Sequence, residues 1–295
     1  MNFIHNNNSS DPYFNAALEE YLLLNGDTSK QDLLLLYEND DCVVVGKNQS
    51  VYKEVNFQYL RSGTLVRRIS GGGTVVHGKG NLCFAFISRF EDFKVNNYRY
   101  FNQRIVDALQ KRGIPATFNA RNDIICNSKK LSGNAQFTNR RNILSHGTLL
   151  IHADLEKLRF ALQPNPFLVE SRAVTSVRSP VMNISEVSPF NDVLDWKTFF
   201  LAEFGANEVH LEINQINIVN QMAENKMRSA EWIYGRSPRT LVIKNGITIA
   251  VQDGKIETIS GLEDSGISED ALKGCYYSRE HLCERLSPHH AEILF

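Results

Sequence analysis

The hydrophobic pattern changes period several times along the chain, and each change marks an element. After Asp11-Pro12, the residues Phe14, Ala17, Leu18, Tyr21 and Leu22 recur on one face at helical spacing, behind an acidic cap and a first-turn proline. A core-packed helix is predicted there, with Glu19 and Glu20 on its wet side. Leu33–Tyr37 and Cys42–Val45 are apolar runs separated by Glu-Asn-Asp-Asp, which predicts a hairpin. A polar loop at 46–50 and a helix over 55–62 follow. Over 98–113, Phe101, Ile105, Ala108 and Leu109 share a face, and Gly113 with Pro115 beyond ends the helix. Ile124–Cys126 and 143–151 are predicted strands, the second carrying His146-Gly147, with a tight polar segment over 127–136 between them. Asp154 caps a helix over 155–162, residues 172–184 are polar and irregular, and 195–204 and 213–227 are helical. Beyond Gly235 short strands turn at Gly246 and Asp253-Gly254 before terminal helices, which puts a domain boundary near residue 235.

One stretch, 65–87, departs from this regularity. It reads as a strand entering Arg67-Arg68, a loop Ser70-Gly71-Gly72-Gly73, a short strand carrying His77, then Asn81 and a buried strand. Three adjacent glycines in strand-like sequence are costly, because glycine loses the most backbone freedom on ordering and packs no side chain. Either this is a flexible turn, or something must approach that backbone closely; the flanking arginines and the polar His77 and Asn81 favour a ligand site.

The composition is that of an ordinary globular chain. With 42% hydrophobic and 22% charged residues in a chain of 295, a sizeable core is no difficulty. A net charge of −1 argues against a dedicated nucleic-acid binder. The five cysteines contain no C-x-x-C, and Cys42, Cys83 and Cys126 lie among Val, Phe and Ile as buried free thiols would, which favours a reducing compartment. Without a signal-like start or an apolar run long enough to span a bilayer, a cytoplasmic, non-membrane protein is expected.

Four polar clusters sit at strand ends in one region: Arg67 and Arg68 with the glycine loop, His77 with Asn81, Asn122 with Asp123, and Lys129 and Lys130 with Ser132-Gly133-Asn134. Singly, each has an ordinary structural reading: a packed histidine, a strand cap, a solvated lysine turn. Together they supply an anion-binding backbone, guanidinium groups, a carboxylate and a lysine beside glycines, the inventory for handling an acyl phosphate anhydride. The loop is neither a Walker A loop nor a dinucleotide fingerprint, and the eight histidines show no H-E-x-x-H spacing.

In order and spacing, the segments Arg67-Arg68-Ile-Ser-Gly-Gly-Gly-Thr-Val-Val-His77, Arg121-Asn122-Asp123, Lys130-Leu-Ser-Gly-Asn-Ala135 and His146-Gly147-Thr-Leu-Leu resemble the lipoate-protein ligase A family. The likeness extends to Val45-Gly46-Lys-Asn-Gln49, Asp11-Pro-Tyr-Phe-Asn15, Thr175-Ser-Val-Arg178 and Glu231-Trp-Ile-Tyr-Gly235, and so covers nearly the whole chain. The resemblance implies an α+β fold: a mixed-sheet catalytic domain (1–235) similar to biotin ligases and class II tRNA synthetases, and a small α+β accessory domain (236–295). It implies activation of lipoate by ATP and Mg²⁺ to lipoyl-AMP and transfer of the acyl group to a lysine of apo lipoyl domains, in 2-oxoacid dehydrogenase E2 subunits and the glycine cleavage H protein. On the same basis Lys130 is the catalytic residue, and Arg68 with Gly71, Gly72 and Gly73 helps it to offset the charge of carboxylate and phosphate. Asn122 and Asp123 contact the adenylate, with Asp123 the Mg²⁺ ligand. His77 and Asn81 line the acyl or phosphate end, His146 and Gly147 form a neighbouring wall, and Ser70, Ser132, Gly133 and Ala135 complete the binding set. Arg172 and Arg178 either meet the adenylate or belong to the surface.

Two rival activities share this architecture: an octanoyl or lipoyl transferase working through a cysteine thioester, and a transferase that takes preformed lipoyl-AMP. The first needs a reactive cysteine after the lysine motif; none occurs between Cys126 and Cys275, although Cys126 lies just before Lys130. A non-catalytic nucleotide- or acyl-binding module would be expected to lose the lysine or add a DNA-binding helix-turn-helix.

Overall fold

Leu33–Tyr37 and Asn81–Arg89 pair antiparallel at the centre of a six-stranded mixed sheet. Across that sheet the order is Asn134–Thr138, Asn142–Leu150, Asn81–Arg89, Leu33–Tyr37, Asn2–His5, Asn207–His210. The computed structural model describes residues 1–263 and 265–295. These central strands are apolar at successive positions because both faces are covered. Leu33, Leu35, Cys83, Ala85 and Ile87 face the helix Pro12–Asn25 and the helix Ile213–Met222 with its π-turn Ala223–Met227. Leu34, Leu36, Phe84 and Phe86 face the helices Tyr98–Lys111 and Val193–Glu203 through Ile105, Leu109, Trp196 and Phe200. Burying each such Leu or Phe contributes about 1.5–3 kcal/mol, so the two-sided sheet is the rigid floor on which the polar clusters stand.

The expected hairpin does not form. Cys42–Val45 leaves the large sheet and pairs parallel with Thr64–Arg67 and antiparallel with Val75–His77 in a separate three-stranded sheet. The long strand Asn81–Arg89 offers Leu33–Tyr37 a partner along its whole length, so the polar residues 38–41 cross between sheets instead of turning back. Residues 129–132, predicted as part of a tight polar segment, are a strand: Asn127 and Ser128 both adopt positive φ (49° and 62°) and turn Ile124–Cys126 directly into Lys129–Ser132. In place of one helix over 55–62, two single-turn helices, Val51–Glu54 and Phe57–Leu60, carry the chain there.

Beyond residue 235 the strands Thr240–Lys244, Ile247–Gln252 and Lys255–Ser260 form a meander turned at Asn245-Gly246 and Asp253-Gly254, all four with positive φ. Its edge is completed by Leu168–Ser171, pairing antiparallel with Thr240–Lys244. Val242, Ile249, Val251, Tyr277 and Phe295 share one core with Val43, Val45, Tyr52, Phe57 and Leu65, so packing is continuous across residue 235. Among the described residues no helix is long and apolar enough to cross a membrane.

Candidate functional site

The two adjacent arginines that enter the glycine loop have different tasks. Arg67, the last residue of its strand, is fully buried, and its guanidinium donates to the carbonyls of Gly46 and Gln49 (2.8 Å each) and Ile233 (2.6 Å) and to Ser237 Oγ (3.0 Å). It ties three segments together and offers nothing to a ligand. Arg68 lies inside the loop: Nη1 donates to Val44 O (3.1 Å), Nε to Ser70 Oγ (3.0 Å), and Nη2 to Gly71 O and Gly73 O (2.6 Å each). Burial lowers its pKa to about 10, which leaves it charged at neutral pH. The loop therefore folds around a cation, with Gly72 at φ +88° where side chains are disfavoured.

A cavity of about 390 Å³ opens beside this loop. Gly72, Gly73, Thr74 and His77 line it, together with Asp123, Lys130, Gly133, Asn134 and Ala135. Glu19, Tyr37, Asn39 and His146 close the deep end, and Arg121 with residues 174–177 stands at the edge. Lys130 Nζ lies 2.8 Å from Asp123 Oδ1, while Asp123 Oδ2 accepts from Asn119 Nδ2 at 2.9 Å. The lysine is held from behind as well: its N–H donates to Pro180 O (2.8 Å) and its carbonyl accepts from Met182 N (3.1 Å). A second cavity of about 960 Å³ adjoins the first, reaching Lys53, Arg159, Phe160 and Arg178 and sharing Lys130, Thr74, Gly133, Thr148 and Ser176 with it. Lys130 is thus a cation that lines two adjoining cavities.

Ser176 sets the boundary between those spaces. Its Oγ accepts from Thr74 N (2.8 Å) and Gln49 Nε2 (3.0 Å) and donates to the buried Glu54 carboxylate, which also accepts from Ser176 N at 3.2 Å. A Cβ at Gly73 would come within 3.1 Å of Ser176 Oγ, so that glycine gives the crossing strap its room.

His77 is buried, accepts from Asn39 Nδ2 at 2.9 Å on Nδ1, and has its pKa driven down to about 3, first by burial and then by Arg68 and His146. It presents a neutral polar wall. Burial also raises the thiol pKa of Cys42, Cys83 and Cys126, so none of these is a ready thiolate.

Several residues expected at the site lie elsewhere. Asn122, at φ +62°, turns its side chain to Arg99 Nε (3.2 Å) rather than into the cavity. Asn81 donates to Val76 O (2.8 Å) and braces the turn between strands. Ser70 is fully buried behind the loop, Gly71 faces away from the cavity, and Ser132 lines the second cavity only. Gly147, by contrast, does line the cavity beside His146 and contributes space: a Cβ there would sit 2.3 Å from Asn134 Oδ1 and 2.7 Å from Gly133 O. Glu19, expected in water, is buried; its Oε2 pairs with His146 Nδ1 at 2.7 Å and its Oε1 accepts from Tyr37 OH at 2.9 Å. Asn15, also buried and one turn earlier on the same helix, was the available signal that a polar strip runs beside the apolar one. Tyr37, Asn39 and Glu54 carried no comparable signal, whereas Ser176 lies in the Thr175-Ser-Val-Arg178 segment of the family likeness.

Comparison with known proteins bears on the arrangement. Residues 11–205 match the model of the lipoyl protein ligase A/B catalytic domain. The chain is 37% identical to lipoate-protein ligase 1 of Staphylococcus aureus over 97% of its own length and 94% of that protein's. It is 33% identical to the lipoate-protein ligase LplJ of Bacillus subtilis, over 97% and 93%. Among solved structures it is similar to Plasmodium falciparum LipL1 in complex with lipoate, with a TM-score of 0.65, 22% identity, and coverage of 100% of this chain and 98% of that one. A bipartite lipoate protein ligase from Thermoplasma acidophilum, solved in a study with its E2 lipoyl domain, has a TM-score of 0.65 at 21% identity, covering 80% and 96%.

Proposed function

The chain belongs to the lipoyl protein ligase A/B family, and from that premise we propose that it joins lipoate to ATP as lipoyl-AMP and then passes the lipoyl group to a lysine of a lipoyl domain. The observation that carries this reading is Lys130, held by Asp123 and lining two adjoining cavities. In the first half-reaction a carboxylate oxygen attacks the α-phosphorus and pyrophosphate leaves; two anions must approach, and a fixed cation between them offsets their repulsion. In the second, an amine attacks the acyl carbonyl and AMP leaves, and the same ammonium holds carbonyl oxygen and phosphate in register. The neutral side chains of His77 and Ala135 that line the cavity suit an acyl chain, and the glycine loop, shaped by Arg68, lets it lie close to the backbone. Of the residues implied by the family likeness, we assign direct contact with the reactants to Lys130, Gly72, Gly73, His77, Asp123, Gly133 and Ala135; His146, whose two ring nitrogens are taken by Ser70 and Glu19, supports the cavity without such a contact.

Asp123 is also where Mg²⁺ would be held. Its two oxygens each accept one protein donor and keep lone pairs to spare, and Mg²⁺ takes few protein ligands when it travels with nucleotide phosphates, where it screens their charge. A cysteine-thioester route is disfavoured by the raised thiol pKa of Cys126. Apo lipoyl domains of 2-oxoacid dehydrogenase E2 subunits and the glycine cleavage H protein are the proposed acceptors, in the cytoplasm, where the buried free thiols stay reduced. The test is mass spectrometry of an apo lipoyl domain incubated with the enzyme, ATP, Mg²⁺ and lipoate. One lipoyl group is gained when all are present and none when ATP is omitted; gain only from an octanoyl carrier protein overturns the reading.

A further inference from the structure

Arg68, Ser70, His146 and Glu19 form one buried chain of hydrogen bonds that the two half-reactions do not call upon. Donor and acceptor counting fixes its protons. Arg68 Nε can only donate, and it shares its hydrogen between Ser70 Oγ at 3.0 Å and Gly71 O at 3.2 Å, so Ser70 Oγ accepts from it. The proton of Ser70 then has His146 Nε2, at 2.7 Å, as its acceptor, which requires Nε2 to be bare and Nδ1 to carry the imidazole hydrogen. Nδ1 in turn faces Glu19 Oε2 at 2.7 Å, and Tyr37 OH donates to the other carboxylate oxygen at 2.9 Å. With the hydrogen on Nδ1 and none on Nε2, every polar atom of the chain has a partner. The opposite tautomer would set a bare Nδ1 against a carboxylate and load Ser70 Oγ with two donors, leaving its own hydrogen to find another acceptor.

The order serine, histidine, carboxylate is that of a nucleophile with its base, but Ser70 is fully buried behind the cavity wall and its oxygen already accepts from Arg68. The chain points the other way. We propose that Glu19 and His146 are positioning residues which, through Ser70, fix the rotation of the Arg68 guanidinium and so the shape of the glycine wall facing Lys130. Arg68 Nη2 holds both Gly71 O and Gly73 O at 2.6 Å, so a turn of that group moves the loop backbone with it. Glu19 also supplies the charge that compensates a guanidinium shut away from water. The proposal rests on the ligase reading for what the loop is positioned to do.

Two readouts test it. Nitrogen NMR of histidine-labelled resting enzyme reports the His146 tautomer without reference to activity; the hydrogen on Nδ1 is expected, and finding it on Nε2 overturns the proposal. Pyrophosphate–ATP exchange driven by lipoate is then compared in Ser70→Ala, Glu19→Gln and the double variant. Misplacing a reacting group by an ångström costs on the order of 100-fold, and kcat of each single variant is expected to fall by about 10- to 100-fold. Because both variants cut one chain, the double variant is expected to fall no further than the worse single one. Independent, multiplying losses, or a change confined to KM for lipoate, overturn it. Should the wild-type enzyme show no exchange at all, the ligase reading fails while the tautomer still decides the chain.

Discussion

Lys130 and Asp123 are seven residues apart, and the Asn127-Ser128 turn brings them within 2.8 Å, so the charge that the proposed chemistry uses is set by one short hairpin. Removing a single preorganised donor to a developing charge costs about 100- to 1,000-fold in rate; that loss is expected for Lys130→Ala in lipoate-dependent pyrophosphate exchange, with near-normal exchange contradicting the assignment. His77 makes a different prediction, on stability. An unfolded histidine titrates near about 6.5, whereas burial holds His77 down to about 3. Between these values the unfolded chain binds the extra proton, so this residue's contribution is full above about pH 6.5 and is lost as pH falls, by up to about 1.4 kcal/mol per unit. Urea titrations at about pH 7 and about pH 5 should show a smaller drop in His77→Gln than in the wild type; an equal drop contradicts it. Lys130 and Asp123 were legible in the sequence because a motif carries them. Glu19 was not: a carboxylate beside an apolar stripe looks solvated until its partner His146, 127 positions away, is brought against it.

Among elements, strand existence was legible and strand partnership was not. Leu33–Tyr37 and Cys42–Val45 were predictable as strands, but which sheet each joins depends on the length of the competing strand Asn81–Arg89, a non-local fact. The pairing of Asn134–Thr138 with Asn142–Leu150 depends on Gly147, opposite Asn134, having no side chain. Overfilling a packed site costs about 1–3 kcal/mol, and Gly147→Ala is expected to lower stability by that order and to displace the Lys130–Asn134 wall. Thermal unfolding checks it, and a melting temperature equal to the wild type's would show that the strands have room to give.

At the scale of the molecule, the change in character after residue 235 was visible in the sequence, while the shared core was not, since Tyr52, Phe57, Tyr277 and Phe295 meet only in the fold. We therefore expect residues 1–235 alone, stripped of the strands and helices that cover Val43, Val45 and Tyr52, to lack a cooperative thermal transition. A sharp transition near that of the whole chain would instead make 1–235 an independent unit. Activation of the acid by this chain itself is the step that isotope exchange between pyrophosphate and ATP measures alone. Exchange that appears only when lipoate is added is expected. No exchange with lipoate, from enzyme that still moves the lipoyl group of preformed lipoyl-AMP onto an apo lipoyl domain, would contradict it.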